Sequence, residues 1–415
     1  MPWRQGVNRL TAPERGGLLI LNTGEDSLEH LSNAVLKRNC TAAQMARELV
    51  DPDHLVVVPQ RPLPRERLAR ELRERGLDDR DVWVYGLTVP ERLKWRALKI
   101  QMHPPLPGDD VPAWFDAAFP ERIREVALPG YACFTREKLS EAVTTLLDEY
   151  VQVRLKDPRG SSGEGQWTVG APADYAAFVE AMKQRHGSEE AFDAALRAYG
   201  YVVEVDLANV RTWGFTLTET PRRAFASLGR QYRALRRRPN GSAVMEYGGT
   251  SAVTVADGRT RIHDADLPAR VPVPDPWREA GGPQAIRVDA AVLHAAERYI
   301  EAARAWEGEG FVRTRVNVDV LQGMVQRRNG DAERLTGAVE GAGRPGGASP
   351  AELLGALDLV ASPEGRYAVR STRHVFRREQ AETYRRFFDA TGQGTVIWDG
   401  VDESWDGKYV MLCVY

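Results

Sequence analysis

Cysteine is scarce in this chain. The three residues, Cys40, Cys133 and Cys413, stand far apart with no CxxC spacing, which excludes a disulfide framework and fits a reducing cytoplasm. The seven histidines form no HxH, HxxxH or HExxH pattern, so a zinc site is not expected. Charge of one sign is also lacking: 56 Lys+Arg face 58 Asp+Glu, a net charge of −2, which leaves no electrostatic footprint for nucleic acid or an anionic membrane. No apolar run approaches the roughly 18 residues of a membrane span, and Met1–Gly17 has no apolar core of the signal-peptide kind. The expected location is the cytoplasm. Among phosphate-binding signatures, GxxxxGK[ST] is missing, Gly163-Glu164-Gly165 lacks the third glycine of a GxGxxG, Gly160–Glu164 lacks the final glycine of a GxSxG elbow, and no internal repeat is present.

What is present is the mix of a soluble globular protein, 43% hydrophobic and 27% charged, long enough for two or three domains at roughly 100–200 residues each. Short apolar runs at Leu18–Leu21, Leu55–Val58 and Val82–Tyr85 alternate with helical stretches near 27–37 and 65–75, the pattern of a parallel α/β layer. This first domain is expected over residues 1–130. Thr135, with Lys138 three residues on, marks a helix start. The helix leads to the alternating strand Val151–Lys156, and helices near 174–185 and 189–199 precede another strand from Tyr201. Residues 131–204 read as a small α/β lid domain. Residues 205–415 read as a larger mixed-sheet domain with strands at 215–218, 243–247 and 252–255 and a helix near 290–306. The fold class is α/β (α+β).

Two constellations carry chemistry. In the strand ending at Lys156, alternation puts Arg154 and Lys156 on the face opposite Val153 and Leu155. The chain then enters Asp157-Pro158-Arg159-Gly160-Ser161-Ser162-Gly163-Glu164-Gly165, whose unhindered backbone N–H groups can cradle an anion. Taken alone, the loop equally suits a mobile surface hairpin. The second constellation is Arg315–Leu321 followed by Asn329-Gly330 and Leu335–Glu340. Period two sets Arg315, Asn317 and Asp319 against Val316, Val318 and Val320. A two-residue turn at Asn329-Gly330 would place Asp319 opposite Glu340. Like charges so placed repel unless a cation such as Mg²⁺ lies between them, although two solvated carboxylates on an exposed hairpin would read the same way. Arg344, four residues past Glu340 in a glycine-rich loop, is placed to neutralise a phosphoryl group or hold a carboxylate. Arg315 is grouped with it as a catalytic cation. The basic run from Arg230 to Arg238 is expected to be a solvated helical face, whereas Arg222 and Arg223 are candidates for a substrate carboxylate.

The order of these features resembles the ATP-grasp superfamily, and the phrases VRLKDPRGSSGEGQ, NVDVLQG and RPGGAS are similar to its DUF3182 group. The resemblance is best over about 131–360. It implies a three-part ATP-grasp fold that clasps ATP between the lid and the larger sheet. Lys138 and Lys156 would contact phosphates or adenine, and Ser161, Ser162, Gly163 and Gly165 would close over the phosphates. Glu204 would lie near adenine or ribose, Asp319 and Glu340 would hold Mg²⁺, and Arg344 would assist phosphoryl transfer. One departure concerns the last metal motif, which in many relatives is Glu-x-Asn and here is Glu340-Gly341-Ala342. That leaves one metal position to water, to Asn317 or to a weaker second ion. The implied activity is ADP-forming carboxylate–amine ligation of small-molecule amino acids through an acyl phosphate, with a γ-glutamyl dipeptide as the specific expectation. A kinase without a following amine and a non-catalytic nucleotide-binding module remain as alternatives. Members are often dimers, so a homodimer is carried as an expectation.

Overall fold

A computed structural model describes residues 18–21, 55–57, 65–74, 76, 82–85, 95–160, 165–219, 224–237, 243–256, 288–307, 315–342, 346–375, 378–392, 394–399 and 410–414. The α/β class read from the sequence is observed, as three sheets met in chain order. The first is parallel, in the order β2-β1-β3, built from β1 (Leu18–Leu21), β2 (Leu55–Val57) and β3 (Val82–Tyr85). Helix α1 (Arg65–Glu74) lies in the crossover between β2 and β3, which flank β1 on its two sides. It buries Leu68 and Leu72, one turn apart. The helix expected near 27–37 lies outside the described residues.

A 3₁₀ helix, Trp95–Met102, and a short helix α2 (Ala118–Ile123) lead to the second sheet. Its strands are β4 (Gly130–Cys133), β5 (Val153–Lys156), β6 (Gln166–Val169) and β7 (Tyr201–Val205), antiparallel in the order β4-β7-β5-β6. Helix α3 (Arg136–Glu149) starts as its sequence predicts, with the Thr135 hydroxyl accepting from the Lys138 amide at 3.3 Å. Helices α4 (Pro172–His186) and α5 (Glu189–Tyr199) are separated by Gly187, whose φ of +89° suits glycine, and by the N-cap Ser188. Leu139, Val143, Phe178, Met182, Phe192 and Leu196 from these helices pack on Val153, Leu155, Val203 and Val205. Each fully buried side chain of this kind contributes about 1.5–3 kcal/mol. The opposite face of the sheet is left to Arg154, Lys156 and Glu204.

The third sheet has eight strands, β8 (Ala208–Glu219), β9 (Ala224–Arg237), β10 (Ala243–Ala256), β11 (Arg315–Gln326), β12 (Ala332–Ala342), β13 (Ala368–Val375), β14 (Gly394–Asp399) and β15 (Val410–Val414). Their order is β12-β11-β8-β9-β10-β13-β15-β14. Where a mixed sheet was expected, the described pairings are antiparallel throughout. Residues 243–247 and 252–255, read as separate strands, form the single strand β10, which crosses an irregularity at Tyr247/Gly249. Helix α6 (Ala290–Glu307) covers one face. Its Val292, Ala296, Ile300 and Ala303 meet Phe215, Leu217, Val316, Val318 and Val320. Helix α7 (Ser349–Ala361) covers part of the other, polar face, where Gly355 leaves room for Thr254: a Cβ there would stand 2.6 Å from the threonine Oγ1. Helix α8 (Arg378–Thr391) follows β13.

The second and third sheets join through the β11–β12 hairpin. Val151 N donates to Gln326 O at 2.9 Å, and Arg328 N donates to Glu149 O at 2.8 Å. Arg328 Nε also reaches Leu147 O at 2.8 Å. Nearer the base, Ala338 N donates to Val126 O at 2.7 Å. Among the described residues no helix is long and apolar enough to cross a membrane.

Candidate functional site

Strand β5 presents its two cations differently. Arg154 is engaged by Asp206, at 2.9 Å from Nε and 2.6 Å from Nη2, and by Gln166 at 3.0 Å. Lys156 turns inward and pairs with Glu204, a diagonal neighbour on β7. Both side chains are almost wholly buried, and the other Glu204 oxygen takes His103 Nε2 at 3.1 Å. Burial alone would raise the Glu204 carboxyl; the Lys156 charge and the hydrogen bonds from His103 and Lys156 outweigh it and hold it at about 2. Glu204 was expected near adenine or ribose. In this structure its two oxygens are occupied by Lys156 and His103.

The loop after Lys156 is pinned at its neck. Asp157 N donates to Gly165 O at 2.8 Å, and Gly160 N donates to Asp157 O at 3.0 Å. The Asp157 carboxylate accepts from Arg159 N at 3.0 Å and from its guanidinium at 3.1 and 3.2 Å. That guanidinium lies over the Tyr199 ring at 4.5 Å. Gly165 is required twice over, by its φ of +72° and because a Cβ would stand 2.9 Å from the Asp157 Cβ. Ser161, Ser162 and Gly163 lie outside the described residues.

On the third sheet Asp319 and Glu340 face one another across β11 and β12, by a route other than the expected one. The turn has three residues, Arg328-Asn329-Gly330. Gly330 has a φ of +92°, and Arg327 N donates to Asp331 O at 2.8 Å. That turn shifts the register by one residue along most of the hairpin, pairing Val320 with Ala338. A bulge at Val339 shifts it back, so that Asp319 meets Glu340.

Asp319 Oδ1 accepts from Gln231 Nε2 at 2.7 Å. Gly214, opposite Asp319 on β8, makes that bond possible, since a Cβ there would stand 2.9 Å from Gln231 Nε2. Asp319 is partly exposed yet lies deep among its neighbours. That burial, reinforced by the Glu340 charge, pushes its carboxyl up to about 7. Tyr299 rises from α6 beneath the pair. Its phenol is pushed up by burial and by the charges of Glu340 and Asp319.

The two constellations meet through Lys99, on the 3₁₀ helix. Its Nζ lies 3.2 Å from Glu340 Oε2 and donates to Gly160 O at 3.0 Å. Sequence reasoning missed Lys99, along with His103, Gln231 and Gly214. Lys99, Gln101 and His103 are all buried, and the one sequence signal was a set of polar residues interrupting the apolar stretch Leu98–Met102.

Other expected residues lie elsewhere. Lys138 Nζ donates to Pro107 O and to Glu141, each at 2.8 Å, and the structure does not bring it to the Lys156–Glu204 pair. Arg315, expected as a catalytic cation, is fully buried and gives Nε and Nη2 to Glu352 of α7 at 3.2 and 2.8 Å. Its place is a packed network: Thr216 Oγ1 donates to Glu352 at 2.7 Å, and Asn317 Nδ2 donates to that same hydroxyl at 2.8 Å. Arg344, Arg222 and Arg223 lie outside the described residues.

Among the described residues no three His, Cys, Asp or Glu side chains converge as a metal cage. Asp319 and Glu340 nevertheless suit Mg²⁺, which is commonly held by one or two carboxylates with water and substrate phosphates. The like-charged pair, one member of it with a raised carboxyl, is a donor set that a divalent ion would relieve.

The family model described as a protein of unknown function (DUF3182) matches residues 27–406. The chain belongs to this family. No curated protein matches it. Among solved structures, this DUF3182 chain is similar to a carboxyaminoimidazole ribonucleotide synthase from Aspergillus clavatus complexed with ATP, at 12% identity and a TM-score of 0.47 over 96% of this chain and 93% of that one. It is similar also to an N5-carboxyaminoimidazole synthetase from Staphylococcus aureus complexed with ADP, at 11% identity and a TM-score of 0.46 over 98% and 95%. A third similarity is to D-alanyl-alanine synthetase A from Vibrio cholerae, at 12% identity and a TM-score of 0.40 over 84% and 94%. Likenesses this distant assign no residue and no activity to the DUF3182 chain.

Proposed function

We propose that this protein is an ATP-grasp ligase that joins a carboxylate to an amine, forming ADP through an acyl phosphate. The observation that carries the reading is the meeting of the Lys156-bearing strand and its glycine loop with the Asp319–Glu340 pair, across Lys99. In this reading residues 131–204 form a lid over residues 205–415. Asp319 and Glu340 hold Mg²⁺, which draws charge from the polyphosphate when bound. Gln231 fixes the orientation of the Asp319 carboxylate through its 2.7 Å hydrogen bond. Lys156 leaves Glu204 for a phosphate oxygen, and His103 keeps the Glu204 carboxylate satisfied when it does. The backbone amides of Ser161, Ser162, Gly163 and Gly165 surround the phosphates and exclude water from the acyl phosphate. Arg344 neutralises the group in transfer or holds a substrate carboxylate. The substrates are amino acids; the specific reading is the γ-carboxylate of glutamate joined to the amine of a non-proteinogenic amino acid.

The test is incubation of the pure protein with Mg-ATP and pools of amino acids, with nucleotides and new masses followed together. ADP with a dipeptide mass is the expected result, lost in Glu340→Gln and Lys156→Met proteins that keep native circular dichroism. AMP as product would overturn the acyl-phosphate route. A stable phosphorylated product with no amine requirement would make the protein a kinase.

A further inference from the structure

The ammonium that completes the Asp319–Glu340 cluster comes from neither of the sheets that form the site. Lys99 belongs to the 3₁₀ helix Trp95–Met102, which enters from the segment between the first and second sheets. Its side chain is only 6% exposed, so its charge sits where an unpaired cation would be strongly disfavoured. It has three donors. One is given to Gly160 O at 3.0 Å, at the neck of the glycine loop, and the ammonium stands 3.2 Å from Glu340 Oε2. The same charge therefore offsets the like-charged acid pair and tethers the loop to it.

We infer that Lys99 is a positioning residue that acts as an internal substitute for the divalent cation, and that metal arrival and loop release are coupled through it. The inference rests on the proposed assignment of Asp319 and Glu340 to the metal. A divalent ion on Glu340 and an ammonium on the same carboxylate repel one another, so the ion must displace Lys99. Displacement removes the charge that fixes the lysine near Gly160, and the tether is lost. Coupling between two sites is reciprocal: anything that holds the loop through Lys99 weakens metal binding, and the metal loosens the loop. A resting protein would in this way bind metal weakly by itself and bind it well when phosphates arrive to receive the displaced ammonium.

The experiment uses Mn²⁺ alone, with the full chain and no nucleotide, titrated by electron paramagnetic resonance at pH 8. Lys99→Met is expected to bind Mn²⁺ at least about tenfold more tightly than the unaltered protein, the scale of a close charge pair. Lys99→Gln keeps a donor for Gly160 and should show the same gain if Lys99→Met fails to fold. Lys99→Arg retains the charge and should show none. Amide exchange over residues 154–160 should rise in Lys99→Met and, in the unaltered protein, on adding Mn²⁺. A purely structural lysine would not produce tighter metal binding on its removal. If Mn²⁺ binds the unaltered and Lys99→Met proteins equally and Glu340→Gln abolishes both, the inference falls while the metal assignment stands. If Mn²⁺ binds neither, the inference falls together with the reading on which it rests.

Discussion

Replacing Glu204 by glutamine removes the charge that holds Lys156 in the second sheet. The carboxyl stands at about 2 in the fold against an ordinary value of 4.5, a difference worth about 3 kcal/mol at roughly 1.4 kcal/mol per pH unit. That figure agrees with the ~3–5 kcal/mol lost when one partner of a buried ion pair is deleted. Because the folded value is depressed, the stabilisation is fully present above pH 4.5 and lost as pH falls toward 2. The deficit of Glu204→Gln against the unaltered protein should therefore shrink from about 3 kcal/mol at pH 7 to about 2 kcal/mol at pH 3.5. With three sheets in one chain a single global unfolding energy is poorly defined, so the measurement is native-state amide exchange in β5 and β7, read at Leu155 and Val203. Lys156→Met in the Glu204→Gln background should add less than it does alone, because the two changes remove one interaction. A deficit below about 1 kcal/mol at pH 7, or one that grows on acidification, would show that the pair does not hold this sheet.

Arg315→Met and Glu352→Gln should each lower local stability by about 3–5 kcal/mol, while the double replacement Arg315→Met with Glu352→Met recovers most of the loss; native-state amide exchange in β11 checks this, and strict additivity would contradict the buried pair. The raised carboxyl of Asp319, at about 7, means that protons compete with metal below that pH. Mn²⁺ affinity should fall about tenfold per pH unit below 7 and level off above it, and a flat profile across pH 6–8 would remove Asp319 from the metal site. Gly341→Ala would put a Cβ 1.5 Å from the Tyr299 hydroxyl oxygen, so a loss of at least about 1–3 kcal/mol is expected. Unchanged amide exchange in β12 would show that Tyr299 does not pack there.

The sequence carried most of what depends on local pattern. Thr135 signalled its helix because a capping hydroxyl acts on an amide three residues away, and Lys156 was legible at the end of an alternating strand. The Asp319–Glu340 pairing was reached from a turn one residue too short. It holds only because the bulge at Val339 returns the residue that the longer turn takes away. Bulges of this kind have no fixed sequence code, so the agreement came from two offsetting departures. Arg315 shows the opposite limit. Its polar face was visible, but its partner Glu352 lies 37 residues on, in a helix on the far side of a glycine-rich loop, and no periodicity links them. Lys99 and Gln231 were missed for the same reason, since each reaches its carboxylate from a separate element brought in by tertiary packing.

The tip of the β11–β12 hairpin is bonded to the end of α3 and the entrance of β5, through Arg328 to Glu149 and Leu147 and Val151 to Gln326. The hairpin thus carries the acid pair near one end and grips the smaller sheet at the other, some way along the strands. Any rigid swing of the smaller sheet that keeps those bonds must turn about the tip, as a door turns about its pin. Displacement would then be smallest beside Arg328, so a crosslink at the pin would leave the swing free while one between Lys99 and Gly160 would restrain it.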